Sequence, residues 1–264
     1  MGFYVNRKDG VEYLSSTLLA DCAHCFSTRY GGVSEGHLAS LNLGIHRGDR
    51  PENVTENYRR LGNAVGFTPE QTVFTKQIHS DIVERVGREQ CGRGLFFPVE
   101  QGCDGLITNE KGVALTVFSA DCTPILLFDP VAAAIGSVHA GWRGTASGIA
   151  AAAVQKMQRE FGCDPANIRA AIGPCISQCC FETDRDVPDA MLAALGQEAE
   201  CAIRPCGEKY YVNLKRLNAL WLRRVGVTQI DCSEDCTACQ PERFWSHRRV
   251  GDRRGSLASV ILLR

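Results

Sequence analysis

Between residues 113 and 138 three apolar runs follow one another, 113–118, 124–128 and 134–138, separated only by short polar breaks. Each run is too short for a stable helix and has the length of a buried strand. The breaks are also too short for the helical crossover that parallel neighbours need. Asp129-Pro130 begins a turn between the second and third runs. Consecutive strands of this kind argue against a doubly wound parallel sheet. They point to an α+β fold with a mixed or antiparallel sheet.

Further strands are expected at 72–75, 81–86, 168–172 and 257–263. Helical spacing covers 52–65, stopped by Gly66, and 145–161, where Ile149, Ala153, Met157 and Phe161 share a face before Gly162. Asn213 caps a helix that runs to Arg224 and ends at Gly226.

The chain of 264 residues has no repeat, low-complexity tract or Pro/Ser-rich linker, so residues 1–264 are read as one domain. Basic and acidic residues number 29 and 30, a net charge of −1, which argues against a nucleic-acid partner. The N-terminal residues carry no apolar run of secretory type, and no stretch reaches the roughly 18 apolar residues that span a bilayer. A cytoplasmic protein without membrane contact is expected. Nothing in the sequence requires a second copy, and a monomer is consistent with it. The 14 cysteines are then reduced thiols, mostly small buried apolar residues, with a few as metal ligands.

Chemistry concentrates at the ends of the 124–138 hairpin. A strand leaves just after Cys122 and returns just before His139, which brings the two side chains to one end of the sheet. His79 lies in a polar break between two other strands and is a third candidate. One thiolate and two imidazoles suit zinc or copper, and three protein ligands leave a position for water or substrate. Asp121, beside the thiolate, is a candidate proton donor or supporting partner. The same spacing also allows a metal-free Cys122/His139 pair in which the imidazole activates the thiol.

Gly141-Trp142-Arg143-Gly144 leads into the expected 145–161 helix. Helix amides with Arg143 beside them form an anion site, and Trp142 offers a ring to stack on. Arg29, next to two glycines, is a second anion contact. Cys22 and Cys25 form one C-x-x-C, Cys236 and Cys239 another, and the two pairs together could make a four-thiolate zinc site. Pro174-Cys175 followed by Cys179-Cys180 resembles the zinc-deaminase P-C-x-x-C, but three residues separate Cys175 from Cys179 and no Glu follows His139 in the required place. That class is excluded.

These motifs resemble the laccase-domain family, also called the YfiH-like or peptidoglycan-editing-factor family. The resemblance runs over nearly the whole chain. It includes Phe26-Ser-Thr-Arg-Tyr-Gly-Gly, Ser40-Leu-Asn-Leu-Gly, Lys76-Gln-Ile-His and Cys103-Asp-Gly-Leu-Ile-Thr. Ala120-Asp-Cys-Thr-Pro, Val138-His-Ala-Gly-Trp-Arg-Gly and Cys236-Thr-Ala-Cys complete it. The resemblance implies a mixed β-sandwich flanked by helices, distantly like a Cys/His hydrolase toxin. It places one metal ion, zinc or alternatively copper, on His79, Cys122 and His139, with Cys122, Asp121 and His139 as the catalytic set. Arg29, Asn42, Gln77, Trp142, Arg143 and Arg248 become substrate or phosphate contacts, with Trp142 or Phe244 stacking on a base. Where the family usually carries Tyr, this chain has His247.

Three activities are described for such proteins. One is a purine nucleoside phosphorylase and adenosine deaminase acting on adenosine, inosine, guanosine and methylthioadenosine. Another is an amidase that edits nucleotide-linked (UDP-MurNAc) peptidoglycan precursors. The third is a copper polyphenol oxidase. Six histidines in the whole chain are too few for a multicopper centre, and none of the three methionines lies in a ligand-like motif. A zinc enzyme acting on a purine nucleoside and phosphate is the expected function.

Overall fold

The computed structural model describes residues 2–264. Its strands are β1 (Phe3–Lys8), β2 (Val11–Ser16), β3 (Ala23–Ser27), β4 (Thr72–Phe74), β5 (Val83–Arg85), β6 (Gly105–Thr108), β7 (Ala114–Ser119) and β8 (Thr123–Asp129). They continue with β9 (Ala134–Ala140), β10 (Arg169–Ile172), β11 (Glu182–Thr183), β12 (Ile203–Cys206), β13 (Lys209–Val212), β14 (Gln229–Cys232) and β15 (Leu257–Leu262). The α-helices are α1 (Pro51–Val65), α2 (Trp142–Ala146), α3 (Ile149–Phe161), α4 (Asp186–Leu195), α5 (Leu214–Arg224) and α6 (His247–Val250).

Two six-stranded mixed sheets, ordered β1-β2-β3-β15-β7-β4 and β14-β10-β8-β9-β6-β5, stack face to face. Alternation along the strands explains the stacking. Leu126 and Phe128 of β8 point into the core between the sheets, while Ile125 and Leu127 point outward against α3. In β15, Leu257 and Ile261 face inward, and Val260 and Leu262 face outward to α1. Strands covered on both sides read as unbroken apolar runs. A side chain such as Leu126, wholly buried, contributes about 2 kcal/mol through removal from water. A small sheet, β11-β13-β12, packs with α4 and α5 at one end. No helix among the described residues is long and apolar enough to cross a membrane.

The β8/β9 hairpin forms as its sequence suggests, in register from Thr123↔Ala140 to Asp129↔Ala134. The Asp129 carboxylate accepts from the Val131 and Ala132 amides and closes the turn. Asn213 caps α5 by accepting from the Arg216 amide, and Gly66 ends α1 at φ 109°.

The expected helix over 145–161 is a correction. It is two helices, α2 and α3, broken at Gly148, which takes φ 78°. A side chain there would also run into the Trp221 ring. The β1/β2 hairpin, α4 and the β12/β13 hairpin went unmarked by periodicity. β1 is an edge strand with little burial, so it carries no clear alternation.

Candidate metal centre

Cys122 sits one residue before β8, and His139 is the penultimate residue of β9. The hairpin therefore presents both at one end of the second sheet. His79 comes from the loop between β4 and β5 and takes φ 62°, a left-handed conformation that turns the chain sharply at the ligand. The Cys122 Sγ and His79 Nε2 are 4.0 Å apart. All three ligand atoms lie within 4.8 Å of one another. The donor set, one sulfur and two imidazole nitrogens, fits a transition-metal ion.

One carboxylate organises this end of the sheet. Asp104, just before β6, is fully buried. Its oxygens accept from the Ile78 amide at 3.1 Å, the His79 amide at 3.0 Å, and the Ser80 amide and hydroxyl, each at 2.8 Å. It also accepts from His139 Nδ1 at 2.9 Å. Burial pushes the Asp104 carboxyl up, yet these donors outweigh it and hold the group at about 2. An ionised carboxylate accepts only, so His139 carries its proton on Nδ1 and turns Nε2 toward Cys122 and His79. Burial likewise opposes charge on Cys122, but His139 and then His79 draw its thiol down to about 6. Burial lowers His139, and the Cys122 thiolate and Asp104 more than reverse this, to about 9. Thiolate and imidazolium thus stabilise each other.

Gly141 explains why small residues follow His139. A Cβ there would come within 2.7 Å of His79 Cδ2 and 3.3 Å of Cys122 Sγ. A side chain at this position would therefore push against the His79 ring and displace it from Cys122.

The triad opens into a cavity of about 150 Å³ bordered by Arg47, Gln77, Phe118 and Arg254. A second hollow of about 310 Å³ adjoins it and is walled by Asp121, Ile176, Phe181, His247 and Arg248. A third, of about 490 Å³, continues past Arg47, Gln77 and Phe118 toward His46 and Lys76. A further surface hollow, about 620 Å³ along the start of α1, shares no residue with these and has no metal-ligand cluster.

Two arginines that the sequence did not single out face the triad. Burial, and then the nearby Arg47, bring the Arg254 guanidinium down to about 10, while Cys122 and Asp121 act in the opposite sense. Two cations held this close favour an anion between them.

The expected anion contacts fare differently. Arg29 lies outside these hollows. Its guanidinium stacks on Trp245, 3.7 Å from the ring centroid, and donates to the Ala39 and Pro241 carbonyls. Asn42 is wholly buried and bridges Gly44, Asp49 and Ser256. Arg143 stacks on its own neighbour Trp142 at 4.2 Å, and Trp142 packs against the α4/α5 cluster. Both stand in the first turn of α2, where Trp142 packs toward α4 and α5, and neither borders the cavity. Phe244 is buried in the core and offers no face to a ligand.

Gln77 borders the cavity, but its amide is engaged with both main-chain groups of Phe118, accepting at 2.7 Å and donating at 2.9 Å. Arg248 borders the second hollow and donates to the Cys180 and Glu182 carbonyls. The Asp121 carboxylate accepts from Thr237 Oγ1 at 2.6 Å and from the Arg248 amide at 2.7 Å. This argues for a wall-holding role rather than proton donation.

Cys22 and Cys25 are far from pairing with Cys236 and Cys239. Spaced by three along nearly extended chain, they face opposite sides of the first sheet, Cys22 into the inter-sheet core and Cys25 toward α1. The four-thiolate set that the sequence allowed does not assemble; Cys236 and Cys239 instead lie beside Cys179 and Cys180.

Residues 23–264 match the family model described as "Multi-copper polyphenol oxidoreductase laccase". The chain is 39% identical over 240 residues to "Purine nucleoside phosphorylase YlmD" of Geobacillus stearothermophilus, covering 89% of this chain and 88% of that protein. It is 35% identical over 240 residues to the Bacillus subtilis protein of the same name, covering 89% and 86%. The crystal structure of the Bacillus licheniformis hypothetical protein YfiH superposes with a TM-score of 0.93 at 32% identity, covering 98% of this chain and 99% of that one. The mixed sandwich flanked by helices is thus shared with these relatives.

Proposed function

This chain belongs to the laccase-domain family, and from that premise we propose that it is a zinc-dependent purine nucleoside enzyme. It cleaves adenosine, inosine, guanosine and methylthioadenosine with phosphate and deaminates adenosine. The observation that carries this reading is the His79, Cys122 and His139 group opening onto Arg47 and Arg254. A zinc ion held by those three residues would supply Lewis acidity and lower the pKa of a water beside it.

Arg47 and Arg254 hold the phosphate dianion by charge-assisted hydrogen bonds. Phosphorolysis breaks the bond between C1′ and the purine nitrogen. The electron pair leaves with the purine, which takes up a proton, and a phosphate oxygen bonds to C1′. Deamination adds water at C6 and releases ammonia. Asp104 keeps the His139 tautomer and the His79 loop in place through both reactions. Phe118 and Phe181, each bordering a hollow, offer apolar surface to the base. Asp121, tied to Thr237 and Arg248, keeps the second wall in register.

Purified protein incubated with adenosine and phosphate is expected to yield inosine, free base and ribose phosphate on chromatography. Product no higher than that of His79→Ala would sink the reading.

One observation favours a second reading. Cys122, His139 and Asp104 form a thiolate–imidazole–carboxylate line, the arrangement of a cysteine hydrolase. An amidase acting on a nucleotide-linked cell-wall precursor would use it, with the arginines on the pyrophosphate. It predicts release of a free amino acid from that precursor by the native protein and none by Cys122→Ser.

A further inference from the structure

We propose that Cys179, Cys180, Cys236 and Cys239 hold a second metal ion, a zinc bound by four thiolates, which joins two loops and fixes one wall of the nucleoside pocket. The four sulfurs all lie within 4.8 Å of one another. Cys239 Sγ is 3.3 Å from Cys180 Sγ and 3.6 Å from Cys179 Sγ. Four sulfurs at about 2.3 Å from one tetrahedral ion stand roughly 3.8 Å apart, so only small side-chain movements are needed. A polynuclear iron–sulfur cluster would hold its thiolates wider.

The backbone is arranged for thiolates. The Ser177 amide donates to Cys236 Sγ at 3.3 Å, a bond that favours the charged sulfur. The Cys239 and Gln240 amides both donate to the Cys236 carbonyl, each at 3.2 Å, and close a tight turn that brings the Cys236 and Cys239 side chains together. The two ligand pairs come from separate segments. Cys179 and Cys180 lie between β10 and β11; Cys236 and Cys239 follow β14. Cys175 and Cys236 already meet as an isolated bridge between the segments.

Charge agrees with the assignment. Zinc entering four thiols releases four protons and leaves the site with two negative charges. Lys215 Nζ donates to Ser177 Oγ and to the Ser233 and Asp235 carbonyls. Arg248 donates to the Cys180 carbonyl, and Arg249 to that of Ala238. Three cations therefore anchor the main chain of the ligand loops. Zinc binding needs no oxidant, whereas a Cys180–Cys239 disulfide would have to pass two electrons to one.

The consequence reaches the pocket. The first loop supplies Ile176 and Phe181 to the second hollow, and its Cys180 carbonyl holds the Arg248 guanidinium there. The second loop supplies Thr237, which holds Asp121. Four thiolates with no open position are the pattern of a structural rather than a catalytic zinc.

Metal content of the whole protein, purified under reducing conditions without added metal, tests this. Two zinc ions per chain are expected in the native protein, one in His139→Ala and one in Cys239→Ser. Cobalt loading of His139→Ala should give the intense sulfur-to-cobalt absorption of a tetrathiolate. If Cys239→Ser does not fold, the His139→Ala count still decides. One zinc in the native protein with none in His139→Ala overturns the proposal. So does iron in place of the second zinc, or a Cys180–Cys239 disulfide detected by mass with no second ion. None of these measurements uses nucleoside turnover, so they stand or fall separately from the proposed activity.

Discussion

The two ligand clusters differ in what holds them. His79, Cys122 and His139 stand at strand ends or on a loop clamped by one buried carboxylate, and they border an open cavity. Cys179, Cys180, Cys236 and Cys239 all stand on loops, and their four sulfurs fill the coordination sphere they would form. Both sets of ligand atoms already stand within 4.8 Å of one another, but the first is held by strand ends and a buried carboxylate, the second by turns and main-chain contacts between two loops. Rigid support with an open face suits chemistry, and loops closed on four sulfurs suit fastening.

Sharpening that contrast begins at Asp104. Asp104→Asn keeps the shape but gives up the carboxylate that orients His139 and gathers the His79 loop. Metal affinity at the first cluster or turnover should fall about 10- to 100-fold, read by chelator competition and steady-state kinetics, with zinc at the cysteine cluster unchanged. Equal loss at both clusters would break the distinction.

A smaller effect is expected at the anion contact. Arg254→Gln should raise KM for phosphate about tenfold, about 1.4 kcal/mol of binding, with a much smaller change for the nucleoside. An unchanged phosphate KM removes Arg254 from that role.

The smallest effect is one of timing along the pH axis. In metal-stripped protein the Cys122 thiol is depressed, so its thiolate persists as pH falls and is lost only through about 6. Burial, chiefly, pushes Cys179 and Cys180 the other way. Alkylation followed by peptide mass spectrometry should therefore show Cys122 modified down to about pH 6, with Cys179 and Cys180 reacting only in more alkaline solution. A shared midpoint would contradict this.

What could be read from the chain before folding was whatever is local. The β8/β9 hairpin follows from two apolar runs and Asp129-Pro130, and it brings Cys122 to His139. The family motif added His79. Asp104 lay within a quoted motif, yet its role depends on amides some 25 positions away, which no spacing reveals. Arg47 and Arg254 are far apart in sequence and meet only because the fold joins their loops at the cavity. Arg143 drew attention through its glycines and Trp142, but Trp142 is taken up by packing against α4 and α5, elements distant in sequence, and Arg143 stacks on it. The C-x-x-C spacing of Cys22 and Cys25 misled for a geometric reason. In extended chain such a pair diverges, whereas the turn at Cys236 and Cys239 brings the same spacing together.

The β8/β9 hairpin carries its chemistry at one end and its turn at the other. Thr123 to Asp129 spans roughly 20 Å of strand. At the far end Val131 is 75% exposed, and the Asp129 carboxylate secures the turn without help from the cavity. A fluorophore, a tether to a solid support or a short inserted peptide at Val131 would therefore leave the reacting end untouched. The turn is a handle by which the protein can be immobilised or tracked while it works.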